Sequence, residues 1–132
     1  MKATELRIGN LTQDSKGNLL KVIGLTDDNI SYYVVDRSKF PLEVGWQAKP
    51  IPLTEEWLVK FGFKITKDPE HNFYEKPFDI YHVQLKRLIG RDVFYLELNK
   101  PNGASYLIKQ INHVHQLQNL YFALTGEELT IK

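Results

Sequence analysis

HVHQLQNLYFALTG, His113–Gly126, is the stretch on which the fold class turns. At about 100° per residue, Val114, Leu117, Leu120, Tyr121 and Leu124 fall within an arc of about 120°, the apolar stripe of a helix that lies on a core. The stretch predicts a helix from His113 to Thr125. Asn112 is placed to cap its start, and Gly126 to end it in the left-handed region. The same spacing puts His115, Gln118, Asn119 and Phe122 on an adjoining flank. A phenyl ring on such a flank either packs on another part of the chain or meets a partner, so these four are the first candidates for an interaction site.

Upstream of this helix the apolar period changes from 3.6 to 2, the signature of strands. Phe73 to Glu75, Asp79 to Leu88, Val93 to Leu98 and Tyr106 to Ile111 read as strands, with turns at Gly90-Arg91 and Pro101-Asn102-Gly103. Phe63 to Ile65 is too short to count. Before it, Thr54 caps a short helix whose Glu55 and Glu56 suit the positive end of the dipole. Trp57, Leu58 and Phe61 form that helix's stripe, and Gly62 stops it. The order is α-β-β-β-β-α, an antiparallel meander packed by the C-terminal helix.

Residues 5–50 read as β throughout. Leu6, Ile8 and Leu11 precede a turn at Asp14-Ser15-Lys16-Gly17. Leu19 to Leu25 and Ile30 to Val35 follow, separated by a turn at Asp27-Asp28-Asn29. Arg37 to Pro41 reads as a loop, and Val44 to Ala48 as a fourth short strand. Several short strands with tight turns imply a small bent sheet or an SH3-like barrel. Pro50-Ile51-Pro52 is stiff and extended, a natural join. The fold class is α+β, with an N-terminal β lobe at 1–50 and an α+β lobe at 51–132, or one continuous domain.

Composition narrows the function classes. The 132 residues carry 17 Lys/Arg against 16 Asp/Glu, a formal charge of +1, with 42% hydrophobic residues. Residues 1–50 hold seven basic against six acidic side chains, and residues 51–132 ten against ten. Neither lobe is a basic block, so charge does not point to nucleic acid. The chain has no cysteine, which excludes disulfides and thiolate metal sites. No apolar run approaches the roughly 20 residues that cross a bilayer, and the start lacks a signal-peptide stretch. A cytoplasmic location with no membrane partner is the expectation.

Two motifs carry a resemblance. PIPLTEEWLVKFGF, Pro50–Phe63, and HVHQLQNLYFALTGEELTI, His113–Ile131, resemble a family of small uncharacterised proteins of gut bacteria and their phages. The opening ELRIGNL, followed by a Gly-containing turn, is similar to that family's usual start. The resemblance implies a shared fold and a phage or mobile-element origin. It implies no activity and carries over no site.

Motifs of known chemistry do not stand out. Of the four histidines, His113 and His115 would point about 200° apart if both were helical, which defeats chelation. Asp27-Asp28-Asn29 lacks the ligand series of a calcium loop. Glu55-Glu56 diverge on a helix and serve its dipole rather than acid–base work. No phosphate loop or nucleophile elbow occurs, and Ser31, Ser38 and Ser105 have no base nearby in sequence. The pairs Tyr32-Tyr33, Phe73-Tyr74, Phe94-Tyr95 and Tyr121-Phe122 recur. On a strand each pair would bury one ring and leave the other more exposed, unless both faces of the sheet are covered.

The leading expectation is a non-enzymatic interaction module that binds a protein partner or itself, needs no cofactor or metal, and uses His115, Gln118, Asn119 and Phe122. A nucleic-acid accessory protein, with Lys86, Arg87 and Arg91 beside exposed tyrosines, is the first alternative. An enzyme with His82, His113 or His115 as general base in a cleft between the lobes is the second.

Overall fold

Three strands near the start of the chain, β1 (Leu11–Gln13), β2 (Leu19–Leu25) and β3 (Ile30–Val34), pair antiparallel in the order β1-β2-β3. The computed structural model describes residues 5–15, 17–25, 30–35, 49–78, 81–88, 93–99 and 105–131. The turns expected at Asp27-Asp28-Asn29, Gly90-Arg91 and Pro101-Asn102-Gly103, the loop Arg37 to Pro41 and the strand Val44 to Ala48 lie outside the described residues. Among those described, the three strands make an open sheet, not a closed SH3-like barrel.

The β1–β2 hairpin follows from its turn chemistry. The Asp14 carboxylate accepts from the Asn18 backbone N–H and the Asn18 side-chain amide, both at 2.8 Å, and Gly17 takes φ 82°. Small polar side chains that bond their own backbone, followed by a left-handed glycine, specify such a turn. β1 starts later than the reading of the chain as β from residue 5 implies. Arg7–Asn10 is a turn, closed by Asn10 N–H to the Arg7 carbonyl at 3.0 Å and Arg7 N–H to Asn10 Oδ1 at 2.7 Å, with Gly9 at φ 99°. Leu6 and Leu11 are buried, whereas Ile8 is 57% exposed.

The chain divides into two units: residues 1–52 with 113–120, and residues 53–112 with 121–132. The first break falls after Pro52, and the first unit also takes in the start of the last helix.

The second unit opens with α1 (Glu55–Lys60), capped by Thr54, whose side chain accepts from the Trp57 N–H. Gly62, at φ 86°, ends it: its N–H reaches the Val59 carbonyl at 2.9 Å, and Phe63 N–H reaches the Leu58 carbonyl at 3.0 Å. This is a Schellman stop, with the apolar pair Leu58 and Phe63 buried beside it. Gly62→Ala should therefore cost about 1–2 kcal/mol of stability, read as a lower urea midpoint, because a Cβ is strained at that backbone conformation.

Five strands follow, β4 (Lys64–Lys67), β5 (His71–Phe78), β6 (Tyr81–Leu88), β7 (Phe94–Asn99) and β8 (Ser105–Ile111), paired antiparallel in sequence order. The short strand excluded from the sequence count is real. It is a polar edge strand whose inward side carries Ile65, opposite Tyr74, and Lys67, opposite Asn72 and 3.9 Å from Glu55, and charged edges are how sheets avoid unwanted pairing. The β4–β5 hairpin is set by Asp68, whose Oδ1 accepts from the Glu70 and His71 N–H groups at 2.9 and 2.7 Å. Those two bonds hold its carboxyl below the usual range.

The meander has a covered inner face and a more open outer one. Tyr74, Leu85 and Leu96 lie in one cross-strand row, and each has no measurable exposure. α1 covers this face at the β4–β5 end. Tyr74 Oη donates to Glu55 Oε1 at 3.2 Å, and Lys76 Nζ donates to the Phe61 carbonyl at 3.1 Å. Glu55 and Glu56 thus act separately, the latter in an i,i+4 pair with Lys60.

The last helix, α2, runs from Val114 to Thr125. Its start is one residue later than expected. His113, not Asn112, is the capping residue: its carbonyl accepts from the Leu117 N–H, and the Gln116 side chain reaches back to the His113 N–H at 3.1 Å. A Gln three residues into a helix makes this reciprocal contact. Gly126 ends α2 at φ 74°, as expected.

Candidate functional site

Three of the four residues on the expected α2 flank are used inside the first unit. Gln118 is 2% exposed. Its Oε1 accepts from the Leu11 N–H at 2.8 Å, and its Nε2 donates to the Gly9 carbonyl at 3.3 Å. Asn119 Oδ1 accepts from Asn10 Nδ2 at 2.7 Å and from Arg7 Nε at 3.2 Å, and its amide donates to the Glu5 carbonyl. His115 is 5% exposed. An interaction role that leaves the fold intact therefore does not suit Gln118 or His115. Only Phe122, in the second unit, lies at the surface, at 38% exposure. Polar side chains on a helix flank read as solvent-facing because their partners, more than 100 positions away, are invisible locally.

His113 and His115 come together rather than diverging. Because His113 precedes the helix, the two rings lie 5.8 Å apart and nearly parallel, at 18°. His115 Nδ1 is buried without a hydrogen-bond partner. Burial lowers the His115 pKa, the His113 charge lowers it further, and Glu5 opposes. The unfolded chain then binds this proton at higher pH than the folded one. Stability should be full above the ordinary histidine value near 6.5 and fall as the pH drops below it, by up to about 1.4 kcal/mol per pH unit, levelling off below the folded pKa. Urea melts at pH 7.5, 6 and 5 check this, and His115→Gln should flatten the profile. A profile unchanged by that substitution would refute it.

The basic trio does not form one patch. Successive strand residues face opposite ways, so Lys86 lies on the outer face of the meander while Arg87 faces inward, its guanidinium 5.4 Å from the Phe94 ring centroid. Arg91 lies outside the described residues. Each aromatic strand pair of the meander splits likewise. Tyr74 and Phe94 are buried with centroids 5.6 Å apart, and Phe73 and Tyr95 are half-buried on the outer face.

The outer face of the meander sets aromatic, charged and amide side chains next to one another. Thr66, Phe73, Lys86, Tyr95 and Gln110 stand opposite one another, one on each strand. The neighbouring row holds Lys64, Glu75, Gln84 and Glu97. Gln84 Nε2 donates to Glu75 Oε1 at 2.9 Å, and Asn99 Nδ2 donates to Gln84 Oε1 at 2.8 Å. His82 Nδ1 lies 3.8 Å from Glu75 Oε2, and the His71 ring lies 5.8 Å from that of Phe73. The sequence signalled the aromatic pairs. It did not signal Glu75, Gln84 and Glu97, which become neighbours only through strand register.

Among the described residues, no three His, Cys, Asp or Glu side chains are grouped to hold a metal ion, and no helix is long and apolar enough to cross a membrane. Comparison with protein-family models, curated proteins and solved structures gives no match for this chain.

Proposed function

We propose that this chain is a non-enzymatic binding module that meets a protein partner through the outer face of its five-stranded sheet. The observation that carries this reading is the row Phe73–Lys86–Tyr95, two half-buried rings flanking a lysine on adjacent strands. Aromatic residues are enriched at protein interfaces, because their rings supply large contact area at low entropic cost. His115, one of the expected general bases, is too buried to reach a substrate. The proposed place of work is the cytoplasm. The two sequence motifs support kinship with the small proteins of gut bacteria and phages, which genomic neighbourhood would test. Affinity capture with the wild-type chain and with a Phe73→Ala/Tyr95→Ala variant tests the surface. A partner lost from the folded variant supports the reading, and identical captures would sink it.

The same row favours one second reading. A lysine between two rings is also how proteins hold unstacked bases. Binding of a single-stranded oligonucleotide that weakens steeply with salt would move the assignment there. No binding at low salt removes it.

A further inference from the structure

We infer that the partner for this face is a second copy of the chain, seated face to face about a twofold axis along the Gln84–Tyr95 diagonal. The inference rests on the reading of the outer face as a protein-binding surface, and register supplies the rest. Lys86 stands opposite Tyr95, and Gln84 stands opposite Glu97, so the four form a rectangle on β6 and β7 with Lys86 and Glu97 at opposite corners. Among the described residues neither Lys86 nor Glu97 has an opposite charge within 4 Å, and the Lys86 charge is felt within its own copy only by the more distant Asp68 carboxylate. A twofold axis along the other diagonal exchanges the two corners. Lys86 of each copy then meets Glu97 of the other, and Tyr95 meets Tyr95.

The same operation carries the neighbouring positions with it. Glu75 lies opposite Gln84 on β5, and His82 lies one outer-face position beyond Gln84 on β6. The axis also sets Glu75 of one copy near His82 of the other, so each imidazole, 3.8 Å from Glu75 of its own copy, comes within reach of the second carboxylate as well. The face is therefore complementary to itself in charge, as an isologous interface requires. Strands of the two copies cross near a right angle, one of the two stable ways sheets pack.

Area sets the strength. Five strands about 4.8 Å apart, each roughly 20 Å long, give two faces that together bury on the order of 1,000 Å². That suits a reversible dimer with dissociation constant on the order of micromolar rather than an obligate one.

Sedimentation equilibrium of the full chain across micromolar concentrations is the test. The wild type should dimerise. Lys86→Glu and Glu97→Lys should each weaken the dimer at least tenfold, because each sets like charges together twice. An equimolar mixture of the two folded variants should restore it, since both contacts become complementary in the heterodimer. A monomeric wild type, or a mixture that stays monomeric, would overturn the inference. A photo-crosslinking residue at position 84 separates the two levels. A homodimer band supports the second copy, a band to another protein overturns it while keeping the binding-module reading, and no band overturns both.

Discussion

Phe94→Ala should lower the unfolding free energy by about 3–5 kcal/mol, the largest single loss expected in the second unit. Phe94 is 1% exposed and sits on the inner face at the start of β7, with the Tyr74 ring 5.6 Å away at 60° and the Arg87 guanidinium over it. Removing the ring loses its transfer free energy and leaves a cavity that rigid strands on either side cannot close. It also strips the cation–π support from Arg87, a charge that is then held against an emptied apolar site. Urea denaturation measures the effect, and the slope with denaturant should stay constant if only stability changes. Phe94→Leu should recover more than half of the loss. A Phe94→Ala variant within about 1 kcal/mol of wild type would show that the inner face is not the packed core of this unit.

Gln118→Leu is the counterpart in the first unit, with an expected cost of about 2–3 kcal/mol. The side chain is nearly isosteric and more apolar, so a buried helix flank would otherwise gain from the change. The cost arises chiefly because the buried Leu11 N–H loses its acceptor where water cannot easily replace it, while the half-buried Gly9 carbonyl loses a donor. Amide hydrogen exchange gives a local readout: Leu11 should lose protection by more than the global change in stability. If Gln118→Leu leaves stability unchanged, the amide bridge is not what holds residues 9–11 to the helix. Gln118→Glu should behave differently, since the carboxylate keeps an acceptor for Leu11 but faces the Gly9 carbonyl with no proton to donate.

The α+β class, both helices and four of the five strands of the meander were legible in the sequence. Long elements with strict periods, such as Val114 to Leu124, announce themselves because one face must be apolar over several turns. What failed was local reading of positions whose partners are remote. β4 looked too short because an edge strand has only one neighbour and needs little apolar content. Residues 5–11 read as β, yet Gly9 and Asn10 turn the chain instead. Asn112 looked like the cap, but the Gln116 side chain reaches one residue further along. The basic trio failed for a different reason. Lys86 and Arg87 are adjacent in sequence and so, on a strand, on opposite faces. For the site, the aromatic pairs were visible, but the Lys86–Glu97 diagonal depends on the β6–β7 register, which no local pattern states.

The bonds from residues 7–11 to Gln118 and Asn119 have a consequence during synthesis. The Leu11 amide is made 107 positions before its acceptor. At about 5–20 residues per second, that is a delay of roughly 5–20 s on the ribosome. Throughout it, β1 to β3 lack the helical segment that completes their unit. The meander also pairs each strand with its neighbour in sequence, so its hairpins can form as they emerge, but its unit too is completed only by residues 121–132. The nascent chain should therefore carry hairpins before it carries either finished unit, and residues 1–52 wait longest for the segment that completes them, within reach of a chaperone or protease meanwhile.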